Sequence, residues 1–185
     1  MRALPVFVSA ILILGFTQMT SAADMKSPAG PVILTVAGSV SAANRSAFDE
    51  QNDAFFRYHD QTFDKAVVFD RAMLEELGVT EIRIAYQDWQ HPITFSGPLL
   101  VDVLKAAGCS SGPLRTLALD GFATEISAED VGARNWVLAT RANGRPHGIG
   151  GRGPLWLVFD PPGNRPATEE EENMWPWALF FVRCG

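Results

Sequence analysis

The chain predicts a mixed α+β domain, with short strands alternating with loops and two or three short helices. Short apolar stretches, several with the period-two alternation of half-buried strands, recur from Val32 to Val182. Helix start and stop signals bracket only brief spans, notably Asp70 to Gly78 and Pro98 to Gly108. No internal repeat is present.

Taken in order, Val32 to Val36 reads as a β-branched strand closed by Gly38. The polar region Ser41 to Asp64 follows, with a short helix or strand at Ala54-Phe55-Phe56. Asp70 is placed to N-cap a helix through Leu77, and Gly78 ends it. Glu81 to Tyr86 alternates, with Ile82 and Ile84 on one face. Trp89 to Pro92 is a loop. Pro98 suits the first position of a helix through Ala107, with Gly108 as its stop. Leu114 to Phe122 alternates again, with a turn near Asp120-Gly121. Ser127 with Asp130 has capping-box form and starts a helical turn. Trp136 to Arg141 is a strand followed by Asn143-Gly144, a tight-turn signal. Leu155 to Phe159 is an apolar strand stopped by Pro161-Pro162. Thr168 and the acidic run Glu169 to Glu172 read as a solvated turn. Trp177 to Val182 is the closing strand, with Pro176 at its start.

Arg2, the apolar run Leu4 to Phe16 and the small residues Ser21-Ala22-Ala23 describe a secretory signal peptide over 1–23. The run is shorter than the ~20 residues a membrane span requires, although an uncleaved anchor is the competing reading. One domain is then expected over 24–185, in the periplasm or outside the cell. A net charge of −6 makes nucleic acid and anionic lipid surfaces poor partners, and no other stretch is apolar enough to be membrane-embedded. Cys109 and Cys184 are the two cysteines. In an oxidising compartment they can pair and pin the last strand, but sequence does not give their distance. His59, His91 and His147 show no metal-ligand spacing. His59 reads as a surface residue.

Against this acidic background, Val131 to Phe159 contains no Asp or Glu. It carries Arg134, Arg141, Arg145, Arg152 and His147 around the glycine-rich run Gly148 to Gly153. Arginine forks and successive backbone N–H groups in a glycine turn suit a small anion or a ring carbonyl. The competing reading is a solvated hairpin tip. Arg145 and Arg152 beside His147 oppose its protonation. The run GIGGRG does not follow a strand and open a helix, which rejects a dinucleotide fingerprint. No nucleophile elbow or Ser/His/Asp order stands out. Trp156 and Trp177 read as core, and Trp175 as a pocket lid or partner contact.

Phe95-Ser96-Gly97-Pro98-Leu99-Leu100 with Asp102-Val103-Leu104 and Gly108, then Leu119-Asp120-Gly121-Phe122 with Ile126 and Asp130, then Leu138-Ala139, Asn143-Gly144-Arg145-Pro146 and Gly153-Pro154-Leu155, together with the tryptophan-rich last strand, resemble in order and spacing the molybdopterin-binding domain of the sulfite oxidase family. The resemblance spans about Ile82 to Val182. It implies that family's fold, with mixed sheets and short helices. Catalytic members hold molybdenum through a cysteine on the strand before the Trp89 region. Here that strand, Glu81 to Tyr86, has none. The resemblance therefore implies a non-catalytic protein similar to short periplasmic pterin-binding regulators, with a tetrahydropterin-like ligand or molybdopterin and no molybdenum. Such proteins act on the periplasmic region of a membrane sensor, a cyclic di-GMP enzyme or a histidine kinase. Two alternatives are a molybdopterin-dependent oxidoreductase with an atypical ligand set and a ligand-free interaction module. For a pterin, Trp89 offers a stacking face or else plugs the core. Asp88 or Asp120 can accept from the amino-pyrimidinone edge, unless Asp120 is simply a turn residue. His91, Arg145, His147 and Arg152 complete the candidate ligand set.

Overall fold

The computed structural model describes residues 25–163 and 165–185. The leader expected at 1–23 lies outside the described residues. Residues 25–185 contain, in chain order, β1 (Leu34–Gly38), α1 (Ala54–Tyr58), β2 (Ala66–Phe69), α2 (Arg71–Glu76), β3 (Thr80–Ile84), β4 (Ile93–Gly97), α3 (Leu100–Ala106) and β5 (Leu114–Ala118). Then follow β6 (Ala123–Ile126), α4 (Ala128–Ala133), β7 (Trp136–Ala139), β8 (Arg141–Ala142), β9 (Arg145–Pro146), β10 (Leu155–Phe159), α5 (Glu169–Glu172) and β11 (Trp177–Cys184). Sheets dominate and the helices are short, so the fold is mixed α+β.

Strand β11 organises the larger sheet. It pairs antiparallel with β5 and β10 and parallel with β1, which in turn pairs with β2. β7 lies outside β10, and β6 outside β5. Every residue of β7 and β10 is buried, because both faces of this part of the sheet are covered; that is why their sequences are continuous apolar runs rather than alternating ones. Helix α3 packs on β7 through Leu100, Val103 and Leu104, whose spacing puts them on one face.

The smaller sheet has the order β3-β4-β8-β9. The chain from Trp136 to Ala142 passes from one sheet to the other, pairing first with β10 and then with β4. Leu138 donates to the Pro98 carbonyl and Thr140 to that of Ser96, each at 2.9 Å. At this junction Gly97 is required: a Cβ there would lie 2.1 Å from the Leu138 carbonyl oxygen. Asn143 (φ 48°) and Gly144 (φ 74°) form the turn between β8 and β9, the left-handed pair that a primed hairpin turn demands.

Two local expectations change. Pro98 remains in extended chain because its carbonyl is taken by Leu138, so α3 begins at Leu100. Thr168 to Glu172, expected as a solvated turn, is solvated but forms a capped helical turn. The Thr168 hydroxyl accepts from the Glu171 N–H, and the Glu171 carboxylate accepts from the Thr168 N–H.

Cys109 and Cys184 form a disulfide, with Cα atoms 5.9 Å apart. It joins the end of α3 to the end of β11. Asp70 is 3 % exposed and does more than cap α2. Its carboxylate accepts from the N–H groups of Met73 (2.8 Å), Ala29 (2.8 Å) and Gly30 (2.7 Å). The Met73 and Gly30 amides, foremost, hold its pKa below the ordinary carboxylate value. Asp70→Ala should lower stability by on the order of 2 kcal/mol at neutral pH, as measured by urea unfolding. Because the folded pKa is depressed, this contribution is present above the unfolded carboxylate pKa of about 4 and disappears below it. The two proteins should converge as the pH falls through the acid range.

Candidate functional site

The acid-free stretch begins in α4, runs through β7 of the larger sheet, turns at the β8–β9 hairpin and returns through the glycine loop to β10. Its positive charge is partly cancelled, once by a helical i,i+4 neighbour and once by a partner far away in sequence. Arg134 pairs with Asp130 at 3.3 Å and lies 4.4 Å over the Phe159 ring. Arg141 pairs with Glu75 of α2 at 3.0 Å. The Glu75 carboxylate also accepts from the Thr140 hydroxyl at 3.0 Å. Burial works against its charge, but the hydrogen bonds from Arg141 and Thr140, with the charges of Arg141 and Arg71, hold its pKa below the ordinary value. Arg71 donates to the carbonyls of Thr140 and His147, clamping the hairpin at entry and exit.

Arg145 and Arg152 enter no salt bridge among the described residues. Arg145 is exposed at the hairpin. Arg152 places its guanidinium 4.4 Å over the Trp156 ring. The glycine loop closes partly on itself. The Gly148 carbonyl accepts from Gly151 (3.3 Å) and Gly153 (3.1 Å), so these two amides are not free to cradle an anion. A Cβ on Gly153 would meet the Gly148 oxygen at 2.6 Å. The Arg152 carbonyl accepts from Ala178 at 3.0 Å, tying the loop to β11.

Beneath Arg152 lies a nest of aromatic rings. Trp156 is 5.0 Å from Phe95, 5.7 Å from Trp89 and 6.1 Å from His147, between ring centroids. Phe95 and His147 stack at 6.4 Å with an interplanar angle of 29°. Trp89 reaches Trp175 at 6.4 Å, and Trp175 reaches Phe159 at 5.4 Å. Two ring nitrogens here, His147 Nε2 and Trp175 Nε1, are buried without a hydrogen-bond partner in the protein. Each such group costs about 1–3 kcal/mol, so their presence in one nest calls for an explanation. Burial chiefly, then the charges of Arg71 and Arg152, push the His147 pKa down. The ring is therefore neutral at pH 7, and Nε2 is a donor or an acceptor according to tautomer.

The structure thus brings together Trp89, His147 and Arg152. Asp88 and His91 are exposed on the turn that carries Trp89. Asp120 is a turn residue: its carboxylate accepts from the Phe122 N–H at 3.0 Å, beside Gly121 at φ +89°. It lines a cavity of about 220 Å³ with Phe122, Glu172, Asn173, Trp175 and Trp177, which borders the nest at Trp175. Arg145 stands apart from the nest's ring contacts. Trp175, expected as a pocket lid or partner contact, is 2 % exposed among the nest's rings, whereas Trp177, expected in the core, is 39 % exposed. The chain before β11 folds over β10: Leu157 donates to the Pro176 carbonyl and the Trp156 indole to that of Trp175. That turns Trp175 inward. His59 is half-buried against Phe55 (4.7 Å) and Phe180 (6.1 Å) rather than solvated. Sequence reasoning missed Arg71, Glu75 and Phe95. An Arg and a Glu four apart on a short helix read as an ordinary solvated pair.

Among the described residues, no group of three or more His, Cys, Asp or Glu side chains is placed to hold a metal ion, and no helix is long and apolar enough to cross a membrane. No family model matches the chain, and no curated protein matches it significantly.

An unfolded histidine takes its proton near pH 6.5, while the folded His147 resists it. Its contribution to stability is therefore complete above that pH and is lost as the pH falls below it. Urea midpoints at pH 7.5 and 5.5 test this. The wild type should lose more stability between the two than His147→Phe does.

Proposed function

We propose that this chain is a receptor for a flat, pterin-like heterocycle, built on a sulfite oxidase-type scaffold and exported to the periplasm. Occupancy is relayed to the periplasmic region of a membrane sensor, a cyclic di-GMP enzyme or a histidine kinase. The observation that carries the reading is the pair of partnerless ring nitrogens, His147 Nε2 and Trp175 Nε1, buried around one aromatic nest. A heterocycle with donors and acceptors on its rim supplies what those atoms lack, and the Phe95 and Trp156 faces supply stacking surface. Arg152, free of any salt bridge among the described residues and lying over Trp156, favours an electron-rich rim. Asp88, on the Trp89 turn, is the candidate carboxylate for an amino-pyrimidinone edge. The disulfide supports an oxidising compartment.

A molybdenum centre fits these residues poorly. Family chemistry needs a thiolate to hold and tune the metal, and both cysteine sulfurs of this chain are joined to each other. A second reading has its own observation. Trp89 fills the nest, as it would in a ligand-free interaction module whose pocket has been replaced by side chains.

Isothermal titration of the oxidised protein with tetrahydrobiopterin should show one-site binding, weakened about fivefold by Arg152→Ala, in keeping with a cation–π contribution of about 1 kcal/mol. A folded protein that takes up none at millimolar concentration would favour the ligand-free module.

A further inference from the structure

We infer that the binding slot is the volume now held by the Trp89 indole, so that a fused bicyclic heterocycle enters by exchanging with this side chain and meets the unsatisfied Trp175 indole that Trp89 now contacts. The inference rests on the receptor reading above and names its slot, its edge chemistry and its moving part.

Three observations converge on Trp89. Its half-buried ring sits among Tyr86 (5.7 Å), Phe95 (6.0 Å), Trp156 (5.7 Å) and Trp175 (6.4 Å), in tilted or edge-on contacts. It rides on the connecting turn between β3 and β4, which is tied at its start, where the Ala167 N–H donates to the Ala85 carbonyl (2.8 Å) and Tyr86 bridges Ala167, while the Trp89 N–H bonds only the local Tyr86 carbonyl (3.0 Å). It also contacts the one indole in the nest whose N–H is buried and unsatisfied. Elsewhere the fold satisfies buried indoles: Trp136 donates to the Asp130 carbonyl at 3.0 Å and Trp156 to that of Trp175 at 3.2 Å. Trp175, at 2 % exposure, has no such acceptor.

The chemistry explains why the present occupant leaves that atom unsatisfied. Indole is a flat fused bicycle with a donor and no acceptor. It matches the slot in shape but cannot receive the Trp175 N–H. A fused heterocycle with a carbonyl or imine nitrogen has the same outline and supplies the acceptor. The exchange therefore replaces a donor-only ring with one that satisfies the buried N–H, and that difference is the driving force. Expulsion of Trp89 also shifts the turn bearing Asp88 and His91, which gives a partner a surface that differs between empty and filled states.

The test uses the oxidised full chain and tetrahydrobiopterin. Trp89→Ala should bind about tenfold more tightly than wild type, because no side chain must be displaced, and Trp175→Phe about tenfold more weakly. In 5-fluorotryptophan-labelled protein, the Trp89 resonance, identified by its loss in Trp89→Leu, should move toward the solvent-exposed position on binding. If Trp89→Ala does not fold, Trp89→Leu and the wild-type fluorine spectrum give the same answer. Binding to wild type that is unchanged or weakened by both Trp89 substitutions, with a stationary resonance, overturns the exchange and leaves the receptor reading intact. Failure of the wild type and every variant to bind overturns both.

Discussion

The backbone of Trp177–Cys184 makes its hydrogen bonds against three strands at once: β5 along one edge, and β10 then β1 along the other. One strand can change partners along a single edge only if it bends, and the bend is visible. Ala178 takes a positive φ of 53°, and the ladder registers shift at Leu155/Trp156 and Leu179/Phe181. The same Ala178 donates to the Arg152 carbonyl. The irregularity that lets β11 serve two neighbours therefore also fixes the end of the glycine loop and sets Arg152 over Trp156. The residues just before β11 fold across β10 and turn Trp175 inward. The aromatic nest is a product of how this strand is accommodated.

A second organiser is Thr140, where the chain crosses between sheets. Its side chain and carbonyl are held by Glu75 and Arg71 of α2, and Arg141 is held by the same carboxylate. Without that contact, the buried Thr140 hydroxyl would keep only its 3.3 Å bond to the Ser96 carbonyl, and Arg141 would be a half-buried charge in need of a partner. The cluster also changes the electrostatics of the hairpin. A stretch that is purely basic as sequence is neutralised at Arg134 and Arg141 by acids from neighbouring helices, so the free cationic character narrows to Arg145 and Arg152. Of these, Arg152 stands over the nest.

The fold class and most elements were legible because they depend on local physics. Asp70 caps because its short carboxylate reaches the Met73 N–H, Asn143-Gly144 turns because both residues accept positive φ, and Leu155–Phe159 is a strand whose boundaries follow from its apolar run. What the sequence left dark is tertiary. Nothing near Leu34 signals that it runs parallel to the chain's last strand, and nothing near Arg71 or Glu75 points to Thr140. Trp177 is exposed where a core residue was expected, because burial at a strand entrance depends on which strand the chain crosses. The Pro98 signal for a helix start was overridden by a cross-strand bond. Of the candidate site, Trp89, His147 and Arg152 were found by residue chemistry and Trp175 was singled out as a pocket lid or partner contact; Phe95 was hidden because one buried aromatic ring looks like any other in sequence.

The parallel pairing of β1 with β11 has a bearing on the order of events during maturation. This ladder cannot grow from a hairpin; it closes only once the intervening segments have found their places, and such long-range closure is slow. Cys184 belongs to that ladder, opposite Gly38, and Cys109 bridges to Val40 just beyond it. The two sulfurs therefore come within reach when the topology is already decided. Oxidation acts here as a latch on a finished arrangement rather than a guide toward it, and a reductant would loosen the native chain without redirecting its route.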